Sequence, residues 1–232
     1  MQDKPIVILA GGFGTRLKSY LNGRPKPMVD INGKPFLEYI LMNLVQNGFN
    51  NFIFSLHYRS DLIIEYLNFK RNDFLVNCNI EYYVEDVPLG TGGAVSYIIS
   101  KANIEDDFYV LNADTWIKDK LIDFQNLEPN VIALIEVENS DRYGKVQMNS
   151  DNIITSFMEK GVDLGKGLIN GGFYKFNKSI FEDFNKATYS LESDFFPILV
   201  KSKEIKGYIL KTEFIDIGVP EDYLHFCKLN KI

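Results

Sequence analysis

The stretch from Ile6 to Asp30, IVILAGGFGTRLKSYLNGRPKPMVD, decides how the rest of the chain is read. Ile6 to Leu9 is an uninterrupted apolar run rich in β-branched residues, the pattern of a strand covered on both faces of a parallel sheet. The run ends in Ala10, Gly11, Gly12 and Gly14, a segment with almost no side-chain bulk. Such a turn lets backbone N–H groups approach an anion closely and adopt dihedrals closed to other residues. Arg16 follows in the same turn. Further on, Lys26 stands between Pro25 and Pro27, whose fixed φ angles stiffen the chain around a single cation. Strand, glycine turn, arginine and framed lysine together describe a device for gripping phosphate. A glycine turn alone is more often just a tight turn, and the combination is what argues for function. Leu17 occupies the place where a dinucleotide fingerprint needs a third glycine or alanine, and the Gly-Lys-Ser/Thr closure of a P-loop is absent.

The chain of 232 residues, 46% hydrophobic and 24% charged, is long enough for one substantial core, so a single domain spanning 1–232 is expected. A formal net charge of −6 without a long basic run argues against nucleic acid or an anionic membrane surface as partner. No apolar stretch is long enough to span a bilayer and no cleavable signal pattern opens the chain, so a cytoplasmic location is expected. Cys78 and Cys227 lie far apart without metal-ligand spacing, and His57 and His225 do not suggest a zinc site.

Strand and helix patterns alternate, which points to an α/β fold: a three-layer sandwich around a Rossmann-like, mostly parallel mixed sheet. Pro35 to Gln46 carries Phe36, Leu37, Ile40, Leu41, Leu44 and Val45 at helical spacing, with Gly48 as terminator. Phe52 to Leu56 reads as a strand, Asp61 to Phe69 as a helix, and Ile80 to Glu85 as a third strand. Phe108 to Leu111 and Val131 to Val137 are further buried strands. Ligands of such sheets bind beyond the carboxyl ends of the strands. Phe108 to Leu111 delivers Asp114 to that edge, and Phe214-Ile215 delivers Asp216 ahead of Gly218. Two carboxylates so placed suit Mg²⁺, which takes hard oxygen ligands and completes its shell with water and phosphates. A helix-capping role is the plain alternative for Asp114.

Gly11-Gly12-Phe13-Gly14-Thr15-Arg16-Leu17 followed by Pro25-Lys26-Pro27-Met28 resembles the N-terminal motif of the sugar-1-phosphate nucleotidyltransferases, the enzymes that make nucleoside diphosphate sugars. The resemblance runs along most of the chain. It implies that residues 1–115 form a nucleotide-binding half and residues 116–232 a sugar-phosphate-binding half. It further implies that Leu9, Gly11, Gly12, Gly14 and Thr15 hold the nucleotide, that Arg16 and Lys26 are catalytic, and that Asp114 and Asp216 bind Mg²⁺. Many thymidylyl- and uridylyl-transferring members carry Pro-Leu-Thr soon after the arginine, whereas Ser19-Tyr20-Leu21 stands here. That spelling is nearer to the heptose-phosphate guanylyltransferase branch, and D-glycero-α-D-manno-heptose 1-phosphate as acceptor follows from resemblance alone. A role in making surface polysaccharide or glycoprotein precursors follows in the same way.

In the family resembled, the segment Glu85-Asp86-Val87-Pro88-Leu89-Gly90-Thr91 holds the base, with Pro88, Gly90 and Thr91 on the family's pattern. Thymidylyl and uridylyl members commonly have glutamine at the position of Glu85. A glutamine amide both donates and accepts, as the imide edge of thymine or uracil requires, whereas a carboxylate only accepts. Guanine presents adjacent N1–H and amino donors that Glu85 can accept together. Adenine and cytosine would set a ring-nitrogen acceptor against it, a mismatch of about 1–3 kcal/mol. GTP is therefore the favoured nucleotide. An exposed strand-end acid is the plain alternative.

The same resemblance places the sugar phosphate at Tyr143-Gly144, Glu159-Lys160 and Asn170-Gly171. Gly161 replaces the proline of the family's Glu-Lys-Pro motif, and Val219 stands where threonine often follows the glycine. Ordinary turns, a solvated ion pair and a strand bulge are the corresponding plain readings. Glu192-Ser193-Asp194 reads equally as a capping turn. A sugar 1-phosphate is largely a dianion at neutral pH and needs no strong base, so the protein has to unite two anions and stabilise developing charge. Other readings remain open: a hexose-1-phosphate uridylyl- or thymidylyltransferase, or a non-catalytic nucleotide-sugar-binding relative. Leu17 speaks against an oxidoreductase. The aromatic richness of the chain, with 18 Phe and 13 Tyr, is compatible with a homodimer.

Overall fold

Ile6–Leu9 is a strand whose Ile6, Val7 and Ile8 have no exposed surface, as an apolar run without alternation requires. It pairs in parallel with Asn51–Leu56 (Ile6 opposite Phe52), which pairs in parallel with Asn79–Val84 (Phe52 opposite Ile80). Asn51–Leu56 lies between its two partners and is buried along nearly its whole length, whereas Asn79–Val84 buries only Ile80. The Phe36–Gln46 helix buries Phe36, Leu37, Ile40, Leu41 and Leu44. It ends where Gly48 takes a φ of +84°, and Phe49 N–H donates back to the carbonyl of Leu44 at 3.1 Å. The Ser60–Lys70 helix buries Ile63 and Leu67. These elements match the sequence reading to within a residue or two at their ends.

The computed structural model describes residues 4–158, 165–184 and 186–231. The chain divides into two units, Met1–Pro88 with Leu111–Ile122 and Glu213–Ile232, and Leu89–Val110 with Asp123–Thr212. The architecture is mixed α/β with a largely parallel central sheet. In the first unit, a two-stranded antiparallel ribbon joins Thr115–Ile117 to Phe214–Asp216, with Asp216 opposite Thr115. Ile217 N–H donates to the carbonyl of Asp114 at 3.0 Å. This ribbon brings two aspartates a hundred residues apart in sequence into one place. The final helix, Pro220–Leu229, buries Phe226 against Phe36, Tyr39 and Trp116.

In the second unit, Val131–Val137 pairs antiparallel with Gly167–Asn177 and parallel with Lys206–Leu210. Gly167–Asn177 also pairs with Lys145–Met148, which pairs with Ile154–Phe157. Phe124, Phe173, Tyr174, Phe176, Phe181, Tyr189, Phe195 and Phe196 are all buried here. Tyr109 stacks on Phe173 with ring planes 1° apart. Much of the aromatic surplus seen in the sequence is therefore interior packing. Lys175, 3% exposed, donates to the carbonyls of Gln125 and Leu127 and so satisfies the end of the Leu121–Asn126 turn. Among the described residues no helix is long and apolar enough to cross a membrane.

Candidate active site

The glycine turn leaves Leu9 and enters a single helical turn, Thr15–Leu17, that anchors Leu17 in the core and leaves Thr15 and Arg16 exposed. Its glycines differ in their surroundings. A Cβ on Gly14, whose φ is +62°, would come within 2.9 Å of Leu21 Cδ1 and 3.0 Å of Lys26 Cβ. Gly14 is thus required by the close packing of the turn over Lys26. A Cβ on Gly11 would approach His57 Cβ at 3.3 Å and Glu85 Oε1 at 3.5 Å, while one on Gly12 would meet nothing within 4 Å among the described residues. No atom of the described residues explains why position 12 lacks a side chain.

Pro25, in extended conformation, starts the Lys26–Met28 turn and directs Lys26 inward, where it is 8% exposed. Lys26 Nζ donates to Asp114 Oδ2 at 2.7 Å and lies 3.8 Å from Asp216 Oδ1. Asp216 Oδ1 also accepts from Gly218 N–H at 2.7 Å, and a Cβ at Gly218 would crowd that oxygen at 2.8 Å. Burial, and then the neighbouring charge of Asp114, push the Asp216 carboxyl up to about 6, against the opposing pull of Lys26 and Arg16. Lys26 alone thus does not neutralise the two carboxylates. A pair of hard oxygen donors with an unmet need for positive charge fits a divalent cation. Among the described residues no group of three or more His, Cys, Asp or Glu is placed to hold a metal. A cation on Asp114 and Asp216 would take its remaining ligands from phosphate and water.

Three polar residues of this unit were not singled out as functional by sequence. Ser55, buried in an otherwise apolar strand, donates to Glu85 Oε1 at 2.8 Å, and Glu85 is 6% exposed. Glu85 is therefore a buried acid held by a partner and not an exposed strand-end acid. His57 donates from Nδ1 to the main-chain carbonyl of Glu85 at 2.8 Å, which fixes its proton on Nδ1 in the neutral ring. The exposed Phe13 ring of the glycine turn packs on His57 and Tyr58. Asn112, at the end of the strand that delivers Asp114, has a buried Oδ1 with no hydrogen-bond partner among the described residues. A polar side chain inside or ending a fully apolar run was the available signal, since a buried polar group has to find a partner.

In the second unit the residues singled out by sequence are engaged locally. Gly90, with φ of +72°, Gly92 and Gly93 let the start of the Gly90–Lys101 helix press on Tyr189 and its neighbours, where added Cβ atoms would come within 2.6 Å. Thr91 Oγ1 donates to Glu192 Oε2 and accepts from Leu191 N–H, each at 2.8 Å. Ser190 caps the Leu191–Phe195 turn, so Glu192-Ser193 does form a capped turn. Asn170 Oδ1 accepts from Gly172 N–H and its Nδ2 donates to Tyr174 Oη, each at 2.9 Å, across the register shift of the long strand. A Cβ on Gly171 would meet Ala133 O at 3.0 Å, and one on Gly144 would meet Met158 O at 2.6 Å. Tyr143 N–H donates to the carbonyl of Ser140 at 2.8 Å. Pro88 ends the first segment of the first unit, while Glu159 and Lys160 lie outside the described residues.

A parallel strand, a glycine turn and a lysine beside two aspartates thus come together in the first unit. Residues 5–230 match the nucleotidyl transferase family, and the chain belongs to that family. It is 41% identical over 225 residues to a D-glycero-alpha-D-manno-heptose 1-phosphate guanylyltransferase of Campylobacter jejuni, covering 95% of this chain and 97% of that one. It is 36% identical to the protein of the same name from Aneurinibacillus thermoaerophilus, covering 94% of each. The crystal structure of HddC from Yersinia pseudotuberculosis complexed with GMP-PN is 38% identical, with a TM-score of 0.84 over 98% of this chain and 100% of that one.

Proposed function

We propose that the protein transfers GMP from GTP to a sugar 1-phosphate, D-glycero-α-D-manno-heptose 1-phosphate, giving a GDP-sugar and pyrophosphate. The observation that carries this reading is the Lys26 ammonium held 2.7 Å from Asp114 and 3.8 Å from Asp216 beside an open glycine turn. The similarity to heptose 1-phosphate guanylyltransferases and to a GMP-PN complex supports the choice of GMP and heptose.

In this reading a phosphate oxygen of the sugar 1-phosphate attacks the α-phosphorus of GTP in line. The new O–P bond forms as the bond from the α-phosphorus to the bridging oxygen breaks, and that electron pair leaves with pyrophosphate. Leu9, Gly11, Gly12, Gly14 and Thr15 seat the nucleotide, with Pro88, Gly90 and Thr91 shaping its base segment. Glu85 reads guanine. Arg16 and Lys26 stabilise charge gathering on the transferred phosphoryl group, where a preorganised donor is most effective. Asp114 and Asp216 would hold Mg²⁺, whose charge, when bound, offsets that of the two phosphate substrates. Tyr143, Gly144, Glu159, Lys160 and Gly171 serve the sugar phosphate, and Asn170 contributes by holding the shape of the strand at Gly171. The nucleotide is thus assigned to residues 1–115 and the sugar phosphate to residues 116–232, with Asp216 returning to the first unit. A cytoplasmic place in nucleotide-sugar supply belongs to the same proposal. Phe173, Tyr174, Phe176, Phe195 and Phe196, part of the aromatic surplus that suggested a homodimer, are interior, so a homodimer would use other surface.

Pyrophosphate release from GTP, UTP, dTTP, CTP and ATP against hexose and heptose 1-phosphates, with Mg²⁺ and with chelator, tests the proposal. Activity confined to GTP with a manno-heptose 1-phosphate and abolished by chelation is the expected result. Activity with UTP or dTTP in place of GTP would overturn the base assignment, and silence across the panel would overturn the enzymatic one.

A further inference from the structure

Reading a base edge with a carboxylate requires a fixed plane as well as a charge. Two adjacent N–H donors have to meet two oxygens at once. The end of the Asn79–Val84 strand supplies that fixity for the main chain of Glu85: its N–H donates to the carbonyl of Leu56 at 2.7 Å, and its carbonyl accepts from His57 Nδ1–H at 2.8 Å. The last side-chain torsion of a glutamate is broad and roughly two-fold, so a pinned backbone does not set the plane of its carboxylate. The Ser55 hydroxyl, donating to Oε1 at 2.8 Å, does act on that plane. Ser55 is 0% exposed, and its neighbours in the strand, Phe54 and Leu56, are also wholly buried and apolar. A hydroxyl in such a place is costly unless it is paired, and Glu85 is the partner the fold gives it.

We propose that Ser55 is the positioning residue for base recognition, orienting the Glu85 carboxylate so that it accepts from both N1–H and the 2-amino group of guanine. The inference rests on the assignment of Glu85 as the guanine contact. Ser55 takes one of about four acceptor positions of the carboxylate and so restrains its plane. A Cβ on Gly11 would stand at ordinary contact distance, 3.5 Å, from Glu85 Oε1, so the glycine turn borders the carboxylate.

The test compares GTP with ITP, which carries the same ring edge without the 2-amino group, in the intact enzyme with saturating sugar 1-phosphate. Ser55→Ala is expected to raise KM for GTP roughly tenfold while kcat stays within about twofold, and to shrink the GTP-over-ITP preference in kcat/KM roughly fivefold, as befits a loosened charge-assisted hydrogen bond. The preference is a ratio taken on one preparation, so loss of folded enzyme does not move it. An unchanged preference in Ser55→Ala would overturn the inference. Glu85→Gln, measured alongside, separates the two levels of the argument. If Glu85→Gln collapses the preference while Ser55→Ala leaves it intact, the base assignment stands and the positioning role falls. No preference in the wild type, or none lost in either variant, overturns both.

Discussion

Two polar regions of this chain look alike in sequence and differ in how their groups are satisfied. Around Lys26, Asp114 and Asp216, one ammonium faces two carboxylates, Asp216 is held uncomfortably as an anion, and Asn112 Oδ1 on the same strand end has no partner among the described residues. Around Asn170 and Thr91, both polar ends of one side chain and the single hydroxyl of the other are bonded at 2.8–2.9 Å to protein groups. Unmet charge and an unpaired acceptor cost stability, and a fold keeps them where a ligand supplies what is missing. Internally satisfied groups hold shape. A motif's residue types do not distinguish the two cases, but its hydrogen bonds do.

The largest expected effect is at Lys26. Lys26→Ala is expected to lower turnover roughly 10²-fold or more, the usual consequence of deleting a preorganised electrostatic donor. It is also expected to lower the melting temperature at pH 8, because the aspartates then face each other unscreened. Near-normal turnover would break the contrast on its active side. The glycine turn sharpens it. Gly14→Ala, strained by its positive φ and crowded by Leu21 and Lys26, is expected to destabilise the protein by about 1–2 kcal/mol. Gly12→Ala has room for its methyl group and is expected to leave the melting temperature unchanged while weakening GTP binding. A Gly12→Ala variant with unaltered KM for GTP would show that position 12 is bare for no ligand's sake. A smaller effect is expected at Asn170. Asn170→Ala removes both bonds across the strand irregularity and is expected to cost about 1–2 kcal/mol of stability. Its KM should rise for the sugar phosphate and not for GTP. Lost turnover without lost stability would place Asn170 with the active cluster instead.

Much of the first unit was legible in the chain because its signals are local. Ile6 to Leu9 lacks alternation and is buried on both faces, Gly48 follows a helical stripe and ends it, and an apolar pair before Asp216 mirrors the run before Asp114. What joins the two aspartates was not legible. Thr115–Ile117 is three residues long, too short for periodicity to speak, and its partner lies almost a hundred positions away. Ser55 stands out as a polar residue in an apolar run, but its partnership with Glu85 was not legible, because it depends on the register of neighbouring strands. In the second unit the Asn-x-Gly and Gly-Thr-Gly-Gly patterns were legible as motifs. Their hydrogen-bond partners, Tyr174, Glu192 and Tyr189, were not, because those contacts depend on packing that spacing does not encode.

The contrast meets its sharpest test in Asp216→Asn, with melting temperature and turnover measured on the same metal-free preparation across pH 4.5 to 8. The folded-state pKa of Asp216 is raised to about 6 from an ordinary 3.8, so the native protein binds more protons than the unfolded chain between those values. This group's contribution to stability therefore falls as pH rises through that window and stays low above it. Asp216→Asn removes that penalty and keeps an oxygen for the Gly218 N–H. The account expects the variant to melt higher than wild type at pH 8, to lose this advantage toward pH 4.5, and to lose turnover at least 10²-fold when Mg²⁺ is restored. A variant that melts lower at pH 8, or one that keeps its turnover, would contradict the claim that this cluster is strained for the sake of catalysis.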